Sequence, residues 1–271
     1  MRALVFSGAQ RVDAIDPADR GLAYGDGVFE TMRAHRGDVP WWPVHWQRLL
    51  RGAHVLGLPV PDESRARDQA LQLLDGSDGV LKLLLTRGAG GRGYAPPVDT
   101  KPTWIFSHHP LPAATPADGL AVRWCGTSLS IQPALAGLKH CNRLEQVLAR
   151  GEWSDTSIHE GLMCSTEGDV VCATAANLFV LHDGRWLTPP VDRCGVAGVC
   201  RAWARDALGA SEARLAVIDV EAADAVFLCN AVRGILPVAR LGARSWRPHP
   251  QVAQLQRRLA AEHPAFATEV A

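Results

Sequence analysis

The chain has 271 residues, 47% of them apolar, with a formal net charge of zero and an isoelectric point near 7.1. That length suits two modest domains or one large one, and the apolar share can fill a sizeable core. Electroneutrality argues against non-specific nucleic-acid binding and against attachment to an anionic membrane surface.

The opening "LVFSGAQRV" predicts two short strands around a Ser-Gly turn. Helical spacing follows at 43–58 through Val44, Leu49, Val55 and Leu56, with Pro43 near the start. A second helix is predicted over 62–76, acidic early and closed by Gly76. Residues 79–88 and 103–109 read as strands. The stretch "PLPAATPADG" (110–119) has three prolines and no periodicity, and is the linker candidate. Beyond it, "LAVRWCG" is a strand. A helix is expected at about 140–153 on Leu144, Val147 and Leu148. "EGLMCSTEGDVVC" and "NLFVLHDGRWLTP" are hairpins with Glu-Gly and Asp-Gly turns. "GVAGVCRAWARDALG" is a glycine-rich turn entering a helix that ends at Gly209. "AVFLCNAVRGILPV" is two short strands around a break. Hairpins outnumber strand-helix-strand units, so the expectation is an α+β chain with largely antiparallel sheets. Its smaller N-terminal domain spans 1–109, the linker 110–119 and the larger C-terminal domain 120–271.

Seven cysteines, at 125, 141, 164, 172, 194, 200 and 229, are scattered and form no CxxC. With no apolar leader at the N-terminus and no 18-residue apolar segment, they read as reduced thiols of a cytoplasmic protein. Cys194 and Cys200 have no second ligand pair nearby, so no metal site is expected.

The fixed cations are 25 arginines against three lysines, Lys82, Lys101 and Lys139. Arginine stays charged, whereas a desolvated lysine can lose its proton and attack a carbonyl. Lys101 sits in a proline-flanked loop, and Lys82 within "VLKLLL" is an edge or snorkelling residue. Lys139 lies at a strand end ahead of a helix, where a side chain can enter a cleft. It is either the catalytic amine or a surface lysine, oddly placed because cations favour helix C-termini.

"GAGGRG" (88–93) matches GxGxxG after a strand, but prolines at 96, 97 and 102 replace the helix that a dinucleotide site needs. A mobile loop carrying Arg92 and Tyr94 to a substrate carboxylate fits better. In "CGVAGVCR" (194–201) two glycines free the backbone ahead of a helix. The amides of Val199 and Cys200 could face an anion there, and an ordinary glycine-rich turn is the other reading.

Taken together, "DRGLAYGDGVFET", "HWQRL", "TRGAGGRGY", "GLKHCNRLEQVLAR", "TAANLF", "TPPVDRCGVAGVCR" and "FLCNAVRGILPV" run in order along nearly the whole chain. In them the chain resembles the fold-type IV, D-amino-acid-aminotransferase-like, pyridoxal-phosphate enzymes, and within these the aminodeoxychorismate lyases. The resemblance implies a two-domain homodimer, with the active site between the domains and near the subunit interface. It implies that Lys139 forms the imine with pyridoxal 5'-phosphate, that Arg48 binds its phosphate, and that the amides of Val199, Cys200 and Ala231 complete the phosphate cup. Arg92 and Tyr94 match positions that meet substrate carboxylate. The implied reaction converts 4-amino-4-deoxychorismate to 4-aminobenzoate and pyruvate, a small-molecule reaction with no nucleic-acid or membrane partner. One position departs from the pattern: Cys172 stands where relatives carry a glutamate paired with the pyridine nitrogen. A thiol cannot hold a pyridinium as a carboxylate does. This weighs against transamination more than against elimination, unless Glu167 or another acid fills the place. The alternatives are a D-amino-acid or branched-chain aminotransferase of the same fold, or a non-catalytic relative.

Overall fold

The computed structural model describes residues 2–267. It forms two compact units, Met1–Leu111 with Leu138–Asn142, and Pro112–Gly137 with Arg143–Ala271.

The first unit is a five-stranded antiparallel sheet in the order β2-β1-β5-β4-β3. Its strands are β1 (Arg2–Ser7), β2 (Gln10–Val12), β3 (Gly27–Ala34), β4 (Gly79–Thr86) and β5 (Thr103–His109). A short α1 (Arg20–Tyr24) precedes β3, and α2 (Trp42–Leu56) and α3 (Glu63–Leu74) lie between β3 and β4. Helix α2 buries Trp42, Trp46, Leu49 and Ala53, spaced three or four apart on one face. Helix α3 is capped by the Asp62 carboxylate, which accepts from the Arg65 amide at 2.9 Å, and it buries Ala66, Ala70, Leu73 and Leu74. These faces share one core with Val28 and Met32 of β3 and with Leu81, Leu83, Leu85, Trp104 and Phe106 of β4 and β5. Lys82 therefore lies on a strand flanked on both sides, not at a sheet edge, and its side chain is on the exposed face.

The second unit carries a larger sheet in the order β11-β10-β9-β12-β13-β6-β7-β8, with β14 paired to β13. Its strands are β6 (Leu120–Trp124), β7 (Glu160–Cys164), β8 (Val170–Ala173), β9 (Asn177–His182), β10 (Arg185–Thr188), β11 (Ser211–Glu212), β12 (Ala225–Asn230), β13 (Gly234–Leu241) and β14 (Arg244–Ser245). Its helices are α4 (Leu144–Arg150), α5 (Val199–Leu208), α6 (Val217–Ala222) and α7 (Pro250–Glu262). The predicted hairpins form, β7 with β8 and β9 with β10. Most of its strand pairs are antiparallel, as expected, but the sheet is mixed, because β13 pairs β6, β6 pairs β7 and β10 pairs β11 in parallel. Hairpin counting sees only neighbours in sequence. The long connection between β6 and β7 is a crossover, which parallel pairing requires.

Three expectations change. The segment with Lys139, assigned from sequence to the 120–271 domain, groups with the first unit. The reason is backbone pairing: the Phe29 amide donates to the Lys139 carbonyl and the Cys141 amide to the Gly27 carbonyl, each at 2.9 Å. Residues 139–141 thereby extend the sheet past the edge of β3, with Val28 opposite His140. The helix expected at 140–153 is shorter for the same reason, because residues already in a sheet cannot enter it. Finally, the stripe Leu144, Val147 and Leu148 is 76%, 62% and 64% exposed, while Ala149 is the buried contact.

Candidate active site

Strand β3 alternates, and that places Val28, Glu30 and Met32 together on the core face beneath α2. A carboxylate 1% exposed needs partners, and α2 supplies two from one face, His45 and Arg48. Arg48 Nε donates to Glu30 Oε1 at 2.8 Å, and Arg48 Nη2 and His45 Nδ1 both donate to Oε2, the latter at 2.6 Å. Burial by itself would raise the Glu30 pKa. The Arg48 charge and hydrogen bonds, followed by His45, overcome it and bring the carboxyl down to about 2. His45 shifts downward because burial outweighs the opposing hydrogen bond and charge of Glu30, with the Arg48 and Lys139 charges adding smaller downward contributions. Its Nδ1 proton faces Glu30, and its buried Nε2 has no hydrogen-bond partner among the described residues.

Lys139 belongs to this cluster. Its Nζ stands 4.3 Å from the centroid of the Phe29 ring, a cation–π contact on the residue next to Glu30. Lys82 Nζ lies 5.3 Å from the same ring, on an exposed side chain. Of the two cations, only Lys139 is close enough to depress His45. Lys101 is exposed.

In the second unit, α5 opens at Gly198 with no side-chain cap and no acidic residue in its first turn. The amides of Val199 and Cys200 occupy the positions that orphan donors hold at a helix start. The Cys200 side chain is a fully buried free thiol hydrogen-bonded to Cys229, so only its backbone is available to an anion. Asn177 fixes the approach by donating from Nδ2 to the Val196 carbonyl at 3.0 Å. A Cβ at position 198 would lie 2.0 Å from Asn177 Oδ1, so glycine is required by space. Asn177 sits opposite Cys229, and Asn230 accepts from the Val232 and Arg233 amides, shaping the turn that carries Ala231. Val199, Cys200 and Ala231 thus border the same pair of strands, β9 and β12.

Cys172 is buried in β8 with Leu129, Ala149 and Met163, beside Cys125 and Cys194. Burial first, then Cys194 and Glu160, push its thiol up to about 12, so it is neutral. Glu167 does not stand in for a carboxylate there. It forms a two-point pair with Arg193 and is largely exposed. The acid near Cys172 is Glu160, which accepts from the Gly161 amide at 2.9 Å and from the Thr174 hydroxyl.

Arg92 and Tyr94 lie on the loop between β4 and β5, both exposed, Tyr94 by 85%. The motif's glycines serve that loop. A Cβ at Gly88 would fall 1.9 Å from the Lys101 carbonyl, and no helix follows. The nucleotide reading therefore has no structural counterpart among the described residues.

The profile for amino-transferase class IV matches residues 27–241. This chain belongs to the class IV aminotransferase family. It is 40% identical to a 4-amino-4-deoxychorismate lyase from Pseudomonas aeruginosa of known crystal structure, over 96% of this chain and 99% of that one, with a TM-score of 0.88. It is 35% identical to the aminodeoxychorismate lyase of Vibrio harveyi, over 89% and 92% of the two chains. A putative branched-chain-amino-acid aminotransferase of Methanocaldococcus jannaschii is 30% identical over 83% of this chain and 82% of its own.

Reading motifs missed Glu30, His45, Glu160 and Asn177. For Glu30 a signal existed: "VFETM" places a carboxylate between Val28 and Met32 on one strand face, and a charge on a core face calls for a partner.

Proposed function

We propose that the chain converts 4-amino-4-deoxychorismate to 4-aminobenzoate and pyruvate, using pyridoxal 5'-phosphate, as a carbon–oxygen lyase. The observation that carries this reading is the lysine. The Lys139 ammonium, set against the buried Glu30–His45–Arg48 cluster, falls in "KHCNRLEQVLAR", one of the two segments more specific to the lyases.

The residues fit the cofactor. The buried Nε2 of His45, which has no hydrogen-bond partner among the described residues, and the Arg48 charge beside it suit a charged, hydrogen-bonding ligand. Gly198, which no Cβ can replace, exposes amides suited to a phosphate. Arg48 and the amides of Val199, Cys200 and Ala231 would hold the phosphate, and Lys139 the aldehyde carbon. Cys172, neutral, would face the ring nitrogen. When bound, the cofactor supplies an electron sink.

The side chains do the rest. The Lys139 amine removes the proton from the substrate carbon that bears nitrogen. The ether bond to the enolpyruvyl group breaks with its electron pair on oxygen, the ring becomes aromatic, and Lys139 returns a proton to the enolpyruvyl methylene to give pyruvate. Glu30 keeps Arg48 and His45 fixed, so the site needs no reorganisation as charge moves. Arg92 and Tyr94 would receive the substrate's carboxylates. The apolar stripe on α4, exposed in a single chain, supports assembly as a homodimer.

The test is direct. Incubation with aminodeoxychorismate and the cofactor should release fluorescent 4-aminobenzoate and, in step, pyruvate. Amino-group exchange with a keto acid and no 4-aminobenzoate would assign the chain to the aminotransferases instead.

A further inference from the structure

Arg20 is 4% exposed and lies behind the 88–98 loop. Each of its three guanidinium nitrogens donates a hydrogen bond. Nε donates to Asp26 Oδ2 at 2.9 Å, Nη1 to the Gly93 carbonyl at 2.9 Å and Nη2 to the Tyr94 carbonyl at 3.0 Å. Its central carbon sits 4.7 Å from the centroid of the Tyr24 ring. Tyr24 grips the same loop by accepting from the Gly93 amide at 3.2 Å and by meeting the Tyr94 ring edge-on at 5.5 Å. The Arg20 amide bonds the Gly88 carbonyl, and the Gly90 amide bonds the Ala18 carbonyl.

The mount is shared. Asp26 also accepts from Arg87, at 2.7 Å and 3.1 Å, and Arg87 donates to the carbonyls of Leu56 and Gly57 at the end of α2. One carboxylate cannot balance two buried guanidiniums. The carbonyls of Gly93, Tyr94, Leu56 and Gly57 supply the remaining negative potential, so loop and helix end are tied to one electrostatic hub. Close packing completes the grip. A Cβ at Gly90 would come within 2.8 Å of Arg20 Cδ, so the loop lies directly on the arginine stem. The backbone is thus held at and beside Tyr94, while the side chains of Arg92 and Tyr94 stay exposed.

We propose that Arg20 is a positioning residue for the substrate. By holding the carbonyls of Gly93 and Tyr94 on a mount shared with Arg87, it sets Arg92 and Tyr94 where they receive the substrate's carboxylates. This rests on the lyase reading above. It assigns substrate affinity to a buried arginine that touches no substrate, through a loop in which Gly90 leaves no room for a Cβ against that arginine.

The test compares Arg20→Lys, Gly90→Ala and Gly91→Ala in the cofactor-loaded protein. Lysine keeps the charge but cannot make the three-way fork. Gly90→Ala displaces the stem without touching its charge, and covers the case in which Arg20→Lys does not fold. Gly91 has open space around its missing Cβ and serves as control. Hydrogen exchange of the 88–98 amides should quicken about tenfold in Arg20→Lys. KM for aminodeoxychorismate should rise by a similar factor, with kcat within about twofold and cofactor absorbance unchanged. Gly90→Ala should move both quantities in the same direction by less, and Gly91→Ala neither. Unchanged exchange in Arg20→Lys and Gly90→Ala overturns the proposal, as does faster exchange with KM unmoved, or a loss confined to kcat. A wild-type protein that forms no 4-aminobenzoate brings down the lyase reading together with this one. Brisk wild-type turnover with unmoved variants brings down this one alone.

Discussion

In the first unit the groups assigned to the site are buried ions. Glu30, 1% exposed, answers to Arg48, and Asp26 to Arg20 and Arg87. In the second unit the groups at the start of α5 and along β8, β9 and β12 carry no formal charge: the amides at the start of α5, Asn177, and the thiols of Cys172, Cys200 and Cys229. The two solutions fail in different ways. A buried ion pair depends on both partners and on pH, because either member alone is a desolvated charge. An amide cradle is indifferent to pH and to most side-chain changes, and is sensitive to shape alone.

The largest effect expected is chemical. Lys139→Ala should lower lyase turnover at least about a thousandfold, since no other group supplies the amine. Borohydride reduction of the loaded wild type, followed by peptide mapping, should find the pyridoxyl group on Lys139. An adduct on Lys82 or Lys101 would move the site out of this cluster.

Glu30→Gln comes next. It strands Arg48 and should cost about 3–5 kcal/mol in urea unfolding at neutral pH. The pH dependence has a definite sign. The folded Glu30 pKa, about 2, lies below its ordinary value of 4.5. Its contribution of about 3 kcal/mol is therefore complete above pH 4.5 and lost as pH falls from there towards 2. Wild type should weaken through that window by more than Glu30→Gln does. Parallel curves for the two proteins would mean that the pair is not the acid-sensitive element of the first unit.

Gly198→Ala tests the other side. The added methyl meets Asn177 Oδ1, and an overpacked contact of this kind costs about 1–3 kcal/mol. Cofactor affinity, measured by dialysis, should fall with it, and the deficit should stay constant between pH 6 and 8, on the order of pH values where no charge in the cradle titrates. A deficit that varies across that range would show that the second unit, too, works through an ion.

The smallest effect is a difference between two states. Cys172→Glu places a carboxyl among Leu129, Ala149 and Met163, which destabilises the cofactor-free protein. If this position faces the ring nitrogen, the cofactor should recover about 1 kcal/mol more in the variant than in wild type. The ratio of amino-acid transamination to lyase turnover should also rise. Equal losses of thermal stability with and without cofactor would place Cys172 away from the nitrogen and leave that role to Glu160.

Local chemistry was the part of the fold that could be read in advance. Strands β1, β2, β4 and β5, the turns at Glu167-Gly168 and Asp183-Gly184, and the glycine ending α5 depend on residues within a few positions of each other. Strand β3 could not be read so easily, because Glu30 interrupts its apolar face. The α4 helix was placed correctly but drawn too long, since a helical period at Leu144, Val147 and Leu148 says nothing about whether 139–141 is already paired with β3.

The same division holds for the site. The sequence by itself singled out Lys139 by scarcity and the amides of Val199 and Cys200 by glycine spacing, whereas Arg48 entered only through the family resemblance. Only the tertiary structure could bring Glu30, 18 positions before Arg48, into its pair, seat Phe29 under Lys139, and join Arg20 to Tyr94 across 74 positions. These partnerships are made by strand order and burial. A charge removed from water must find its counter-charge wherever the fold brings one, and separation along the chain carries no information about that distance.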